Sequence, residues 1–382
     1  MDKIKFGSPT IVTSLDTPIA KFANKTVSKK YQALIAYNSG NLLINEYFKK
    51  NIIFEEVQNA NSADKIVSIC ANILRPNIVK EWPHMFKISP QLKSKQRVIL
   101  GVGAQATFDQ MKPKEYVKLL EPELIEWFHN ISDCCESIGV RGEFTADVLK
   151  EMGINNVSVI GCPTWYANGY SQPDIIKKDW SYDLKPACYT CWEAYSDWNV
   201  NWNNAILSEA LKYKDPKFIM QSEFDILPYL VMNTDILNFL KYSNIKELRK
   251  SLKYIKKTFK FSKSALIFNS KLRDLFRFFV NIPKWENFIR TRDFCYGMRI
   301  HGSIIALKQG VPAMTIVPDS RILEMSELYK IPHIKVSDIQ SSDFSLRKFY
   351  EEADYSEMNK IYPKLLENYI DFLNRNGLKH KF

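Results

Sequence analysis

A chain of 382 residues, 46% of them hydrophobic and 25% charged, is a folded globular protein of two or three domains at about 150 residues each. No run approaches the roughly 18 to 20 uninterrupted apolar residues of a transmembrane helix, and Phe276–Val280 with its neighbours is broken by Arg273, Asp274 and Arg277. The net charge of +11 admits nucleic acid, a membrane surface or an anionic substrate, so its distribution has to decide among them.

The opening stretch MDKIKFGSPTIVTSLDTPIAKF carries an early charge but no continuous apolar core ahead of a small-residue cleavage site, which predicts an unprocessed cytoplasmic protein. Next, YNSGNLLINEYF sets Asn38, Ser39, Gly40 and Asn41 before a helical run, with Asn41 either a cleft residue or the helix N-cap. IIFEEV, KIVSIC, RVILGVG, SIGV and VSVIG then read as short buried strands separated by helical stretches, the pattern of a parallel α/β sheet. RVILGVGAQ ends its strand in Gly101, Gly103 and Gln105, where small residues either let backbone amides reach a ligand or make a tight turn. In SIGVRGEFTADVLKEMGI, Arg141 falls at a strand-to-helix junction, placed to hold an anion or to bond to Glu143.

After Pro163 the stretch NGYSQPDIIKKDWSYDLKP reads as a linker. Beyond it, PACYTCW, KFIMQS, SALIF, DFCYGM and PAMTIV supply the strands of a second domain, and the segment from Asp343 onward reads as helix. The organisation predicted is a Rossmann-like domain over 1–170, a second over 180–342 and a helical segment over 343–382. The fold class is therefore α/β, with two Rossmann-like domains facing across a cleft. In such sheets ligands sit beyond the carboxyl ends of the strands.

Most of the positive charge lies between Lys241 and Arg273, where eleven basic residues face the single acid Glu247. Leu248, Leu252, Ile255 and Phe259, then Leu272, Leu275, Phe276 and Phe279, recur at helical spacing, so the segment 241–280 reads as two basic amphipathic helices. Such helices either pack their apolar stripe into the core or lie on an anionic bilayer. No reading helix, zinc finger or RNA-binding motif accompanies the charge, which excludes nucleic acid as the expected partner.

The strongest local signal is FCYGMRIHGSIIALKQGVPAMTIVPDSR. A strand ends at Gly297, and Arg299, His301 and Gly302 open a helix that Gly310 ends. If the strand runs on through Arg299 and His301 their side chains leave on one face, and Gly302 lets a ligand approach the helix start. A guanidinium, an imidazole and helix amides would then form an anion site with a proton donor beside it. The alternative is a His301 bonded within the fold and an Arg299 paired with an acid. Asp319, Ser320 and Arg321 follow the next strand and should line the same edge of the cleft.

Other residues carry weaker signals. Seven cysteines, two of them the adjacent Cys134 and Cys135, argue against a disulfide framework. Cys188 and Cys191 have the spacing of a metal or redox pair but no second pair and no nearby histidine, and His84, His129, His333 and His380 are scattered singles, so no metal is expected. Trp192, Tyr195, Trp198 and Trp202 form either a packed aromatic cluster or a sugar-stacking face.

GVGAQ, IGVRGEFTADVLKEMGI…VIGCPTW and GMRIHGSIIALKQGVPAMTIVPDSR, in this order and spacing over about residues 35–335, resemble the polysaccharide pyruvyltransferase family. The resemblance implies a fold like that of GT-B glycosyltransferases. It also implies transfer of an enolpyruvyl unit from phosphoenolpyruvate to a pair of sugar hydroxyls of a surface polysaccharide or its lipid-linked precursor, giving a pyruvate ketal. On this pattern Arg299 and His301 are the family's Arg-x-His and contact the donor, phosphoenolpyruvate is a substrate, and no cofactor is needed. Three positions depart from the pattern: Cys162 where an acid is common, Gly40-Asn41 where Gly-Asp is frequent, and Arg321 where a lysine is frequent. Taken together, the expected catalytic pair is His301 and Arg299; donor contacts come from Arg299, Gly302, Arg141, Ser320 and Arg321; and Asn38, Gly40, Asn41, Gly103 and Gln105 lie on cleft or acceptor loops.

Overall fold

The computed structural model describes residues 3–7, 40–57, 62–83, 86, 95–189, 197–221, 249, 252, 253, 256 and 274–382. In the first lobe, β1 (Lys3–Gly7) precedes α1 (Gly40–Asn51), β2 (Glu55–Glu56), β3 (Lys65–Ile69) and α2 (Ile78–Glu81). Next come β4 (Gln96–Val102), α3 (Pro113–Val117), α4 (Pro122–Ser132), β5 (Cys135–Val140), α5 (Glu143–Glu151) and β6 (Val157–Val159). The second lobe holds β7 (Pro186–Tyr189), α6 (Asp197–Ala210), β8 (Lys217–Met220), β9 (Phe276–Phe278), α7 (Ile282–Ile289) and β10 (Phe294–Gly297). It continues through α8 (Ile300–Lys308), β11 (Ala313–Val317), α9 (Ser320–Tyr329) and β12 (His333–Lys335), and α10 (Leu346–Glu352) and α11 (Ser356–Arg375) complete the chain.

Each lobe is a six-stranded sheet, parallel at every described pairing. The first runs β2-β1-β3-β4-β5-β6 and the second β12-β11-β10-β7-β8-β9. Six of the seven residues of β4 are buried, as are all of β10 and β11, the signature of strands covered on both faces. The second order is that of a dinucleotide-binding fold, with its reversal between β7 and β10. The expectation of two Rossmann-like α/β halves is what the chain forms.

One expectation is corrected. Leu272, Leu275, Phe276 and Phe279 had the spacing of a second basic amphipathic helix within 241–280, but Phe276–Phe278 is the edge strand β9, paired with β8. Phe276 and Phe278 are buried while Arg277 between them is half-buried, so a period of two won over the helical one in a run short enough to fit both. Most of 241–273, including seven of its nine lysines, lies outside the described residues, as do SALIF and Cys191. The strands β1 and β12 were not read from the sequence, being short and interrupted by lysine.

The lobes are tied together in two ways. Between β6 and β7 the buried turn Pro163–Tyr166 stacks Trp165 on Tyr329 at 4.1 Å and Tyr166 on Tyr369 at 4.4 Å. Then α10 packs on the second lobe, where Leu346 N donates to Glu209 Oε2 at 3.1 Å, and α11 runs back over the first lobe. Tyr355 of this segment donates to Ala313 O in the second lobe at 3.1 Å, whereas Lys65 of the first lobe donates to Gly377 O at 2.6 Å and Lys381 N to Asn51 O at 2.9 Å.

Candidate functional site

The carboxyl ends of the two sheets meet. Arg141 follows β5 directly: its backbone N–H donates to Val102 O at 2.8 Å and its Nε to Gly101 O at 3.0 Å, so it lies across the end of β4 and is not bonded to Glu143. A methyl group built on Gly103 would stand 2.8 Å from Arg141 Cδ and 3.4 Å from Arg321 Cγ. Only glycine leaves these two arginines room to close on the loop from either side. Arg321 comes from the opposite lobe, in the first turn of α9, where its guanidinium bonds to Asp319 Oδ2 at 2.6 Å. Asp319 also caps that helix through Arg321 N and Ile322 N.

Arg299 and His301 leave β10 beside the reversal in the second sheet. The strand stops at Gly297 and does not continue through them; Arg299 is the N-cap residue of α8 and His301 lies in its first turn. Their convergence is therefore a helix-start arrangement, not the alternation of a strand. Both are buried, at 6% and 9% exposure, as is Arg141 at 3%. Burial first, then the charges of Arg141, Arg321 and Arg299, holds His301 down to about 3. Burial above all, with Arg321 adding repulsion, pulls Arg141 below the ordinary guanidinium range. Three guanidinium groups thus surround a neutral imidazole, with Arg321 already paired to Asp319, and guanidinium groups are the donors best matched to carboxylate and phosphate oxygens.

Gly302 does not open the backbone to a ligand. A methyl group there would overlap the Tyr189 ring, so this glycine lets the first turn of α8 pack on β7. Ser320 is likewise engaged: its hydroxyl donates to Ala104 O at 2.6 Å and accepts from Ala106 N at 2.8 Å, fastening α9 to the loop after β4. Gln105 donates its N–H to Leu74 O at 3.1 Å and its carbonyl accepts from Tyr116 at 2.8 Å, while its side-chain Oε1, also buried, makes no hydrogen bond. Gly40 and Asn41 form the first turn of α1, which makes Asn41 a helical residue and not the cap; Asn38 lies outside the described residues. Cys188 is buried, with its sulfur toward Lys217 O at 3.6 Å. Among the described residues no group of three or more His, Cys, Asp or Glu could hold a metal ion.

Two residues were not read from the sequence as site residues. Glu324 of α9 reaches into the first lobe, accepting from Thr145 N at 2.9 Å and Thr145 Oγ1 at 2.6 Å, and so caps the start of α5. A methyl group on Gly142 would overlap Glu324, which explains the glycine of VRGEF. Nothing local marks SRILEMSEL as carrying a buried acid, because its partner is 179 positions away. Cys162 is the other; its sulfur stands 3.6 Å from His301 Nε2.

Burial raises the Glu324 carboxyl to about 7, against the partly compensating Thr145 hydrogen bonds. From about 4.5 up to about 7 the unfolded chain has lost this proton and the folded one keeps it, so this group makes stability fall as pH rises across that window. Glu324→Gln keeps an acceptor for Thr145 N and should remove the fall. Relative to the parent, the variant is expected to gain stability between pH 4.5 and 8, by an amount on the order of 2 kcal/mol. Urea unfolding at both pH values measures it, and a pH-independent difference would refute the assignment.

The folded chain is thus a two-lobed α/β protein in which three arginines gather around a buried histidine where the strand ends of both lobes meet. It belongs to the polysaccharide pyruvyl transferase family, whose model matches residues 16–320, and that family is one of transferases in polysaccharide biosynthesis. A search of curated proteins finds no match. Among solved structures, the S. aureus MnaA–UDP complex is 12% identical over 96% of this chain and 91% of that one, with a TM-score of 0.44. A UDP-N-acetylglucosamine 2-epimerase is 11% identical over 99% of this chain and 96% of that one, with a TM-score of 0.41.

Proposed function

We propose that the protein transfers the enolpyruvyl unit of phosphoenolpyruvate to two hydroxyls of one sugar in a surface polysaccharide or its lipid-linked precursor. The observation that carries this reading is the convergence of Arg141, Arg299 and Arg321 on His301. Phosphoenolpyruvate presents a carboxylate and a phosphate on adjacent oxygen-bearing positions, and planar, multiply donating guanidinium groups match both. A proton added to C3 turns the methylene into a methyl and leaves C2 oxocarbenium-like. One hydroxyl then adds at C2 and loses its proton, the C2–O bond to phosphate breaks, and the second hydroxyl closes the ketal as its proton passes to the departing phosphate. His301 is the residue placed to give and take these protons, and Arg299 leads the donor contacts with Arg141 and Arg321. Ser320 and Gly302 serve the same site by docking α9 and α8, and Gly103 by making room for two of the arginines. Gly40, Asn41 and Gln105 remain assigned to the acceptor side.

The test is a mass-shift assay with phosphoenolpyruvate and a panel of galactose-, mannose- and hexosamine-containing acceptors, with inorganic phosphate measured in parallel. A mass gain on the acceptor equal to one pyruvate ketal, with stoichiometric phosphate release, is expected. Saturable binding of nucleotide sugars alone would overturn the reading in favour of a glycosyltransferase.

No described helix is long and apolar enough to cross a membrane. We infer from the charge of Lys241–Arg273 that the protein works in the cytoplasm, docked at the inner membrane face near a lipid-linked acceptor. Sedimentation with anionic vesicles, lost at high salt, is the expected result; equal recovery with neutral vesicles would sink it.

A further inference from the structure

The pyruvyl-transfer reading leaves one neighbour of His301 without a task. Cys162 Sγ stands 3.6 Å from His301 Nε2, within hydrogen-bonding range for sulfur, and both residues are buried. The thiol is held in place from several directions. Thr164 Oγ1 donates to Sγ at 3.0 Å, Cys162 N donates to the Tyr329 hydroxyl, and Tyr329 is itself clamped on the Trp165 ring at an interplanar angle of 6°. Since the Thr164 hydroxyl supplies a proton to sulfur, the thiol's own S–H is available to point at Nε2. At 0% exposure Cys162 is out of a substrate's reach and can act only through the imidazole.

We propose that Cys162 is the proton partner of His301, fixing the neutral ring as the Nδ1–H form and refilling it through Nε2 when that proton is given up. With Nε2 committed to sulfur, Nδ1 is the nitrogen left to face a ligand. This resolves a difficulty in the site itself. Burial and three arginines hold His301 to about 3, so imidazolium is not its resting form, and a neutral ring donates a proton only if a second one arrives at its other nitrogen. The balance closes. As the Nδ1–H bond breaks and a C–H bond forms at C3 of the enolpyruvyl unit, the S–H bond breaks and an N–H bond forms at Nε2. The ring stays neutral, and the S–H electron pair remains on sulfur, facing the Thr164 hydroxyl and the positive charge of Arg141. When a sugar hydroxyl adds at C2, its proton goes to Nδ1, Nε2–H returns its proton to sulfur, and the pair is reset. Cys162 is thus a positioning residue, not a group in contact with the substrate.

The direction of proton flow rests on the pyruvyl-transfer reading; the pairing of thiol and imidazole does not. The test is ¹⁵N NMR of the full chain labelled in histidine, with the His301 signals assigned by their loss in His301→Gln. Wild type is expected to show a protonated Nδ1 and an unprotonated Nε2, and Cys162→Ala to lose that preference, with Cys162→Val replacing it should the alanine variant not fold. A protonated Nε2 in wild type, or a tautomer unmoved by removal of the thiol, overturns the proposal. In turnover with phosphoenolpyruvate, Cys162→Ala should lower kcat by about 10²-fold with KM within about threefold, and Cys162→Ser should restore part of the loss. If the tautomer moves but wild type never consumes phosphoenolpyruvate, the pairing stands and pyruvyl transfer falls. If phosphoenolpyruvate is consumed but the tautomer is fixed, the reverse holds.

Discussion

Replacing His301 by glutamine is expected to lower kcat for pyruvyl transfer by about 10²- to 10⁴-fold, the usual worth of a positioned acid or base. Phosphoenolpyruvate affinity should change little. The arginines proposed to grip the donor have their own supports: Arg141 is anchored on Gly101 O and Arg321 on Asp319, neither of which passes through the imidazole. The two effects separate in steady-state kinetics combined with calorimetric titration of phosphoenolpyruvate. A kcat within about threefold of the parent would remove His301 from the chemistry. A linked result is expected in the parent. Burial is the main cause that holds His301 to about 3, and the arginine charges that add to it are what a bound carboxylate and phosphate would neutralise, so saturating phosphoenolpyruvate should raise its pKa. The site would then hold its proton more firmly when loaded than when empty.

The second large effect should come from Arg141→Met, which keeps much of the side-chain bulk and removes the charge. Arg141 is 3% exposed and one of its terminal nitrogens, Nη2, is buried without a hydrogen-bond partner, so a bound anion there gains a charge-assisted bond in dry surroundings. Loss of such a bond costs about 1.5–3 kcal/mol, which is a weakening of phosphoenolpyruvate binding by about 10- to 150-fold. Among the charges acting on His301 that of Arg141 is the largest, so the variant should show a His301 pKa above the parent's even with nothing bound. Calorimetry and a histidine NMR titration give the two readouts. Unchanged affinity together with an unmoved His301 would place Arg141 in a purely structural role at the end of β4.

The sheets were legible because parallel strands buried on both faces are written as uninterrupted apolar runs, and KIVSI, RVILGV, FCYG and AMTIV are such runs. Phe276–Phe278 was not, since FRF beside a lysine-rich stretch satisfies helical and strand spacing equally. Arg299, His301 and Arg141 could be found from their places at strand ends, where position along the chain already gives position in space. Ser320 and Gly302 stood in the same motifs but face the other lobe and Tyr189, and no spacing rule tells a side chain turned to a ligand from one turned to a neighbour. Glu324 and the contact of Cys162 with His301 were beyond reach for a different reason. Their meaning lies in partners 179 and 139 positions away, which only the docking of the lobes brings together.

The return of α11 to the first lobe bears on how the protein is made. Lys65 bonds to Gly377 across 312 positions, and Phe372 packs where Gly139 leaves space on β5. An N-terminal sheet emerging from the ribosome therefore shows an unsheathed apolar flank for as long as it takes to synthesise the whole second lobe, some ten seconds or more at about 5–20 residues per second. Chaperone dependence during translation, and sharp losses in yield from lesions near Leu373 that leave purified enzyme unharmed, are what such an architecture entails.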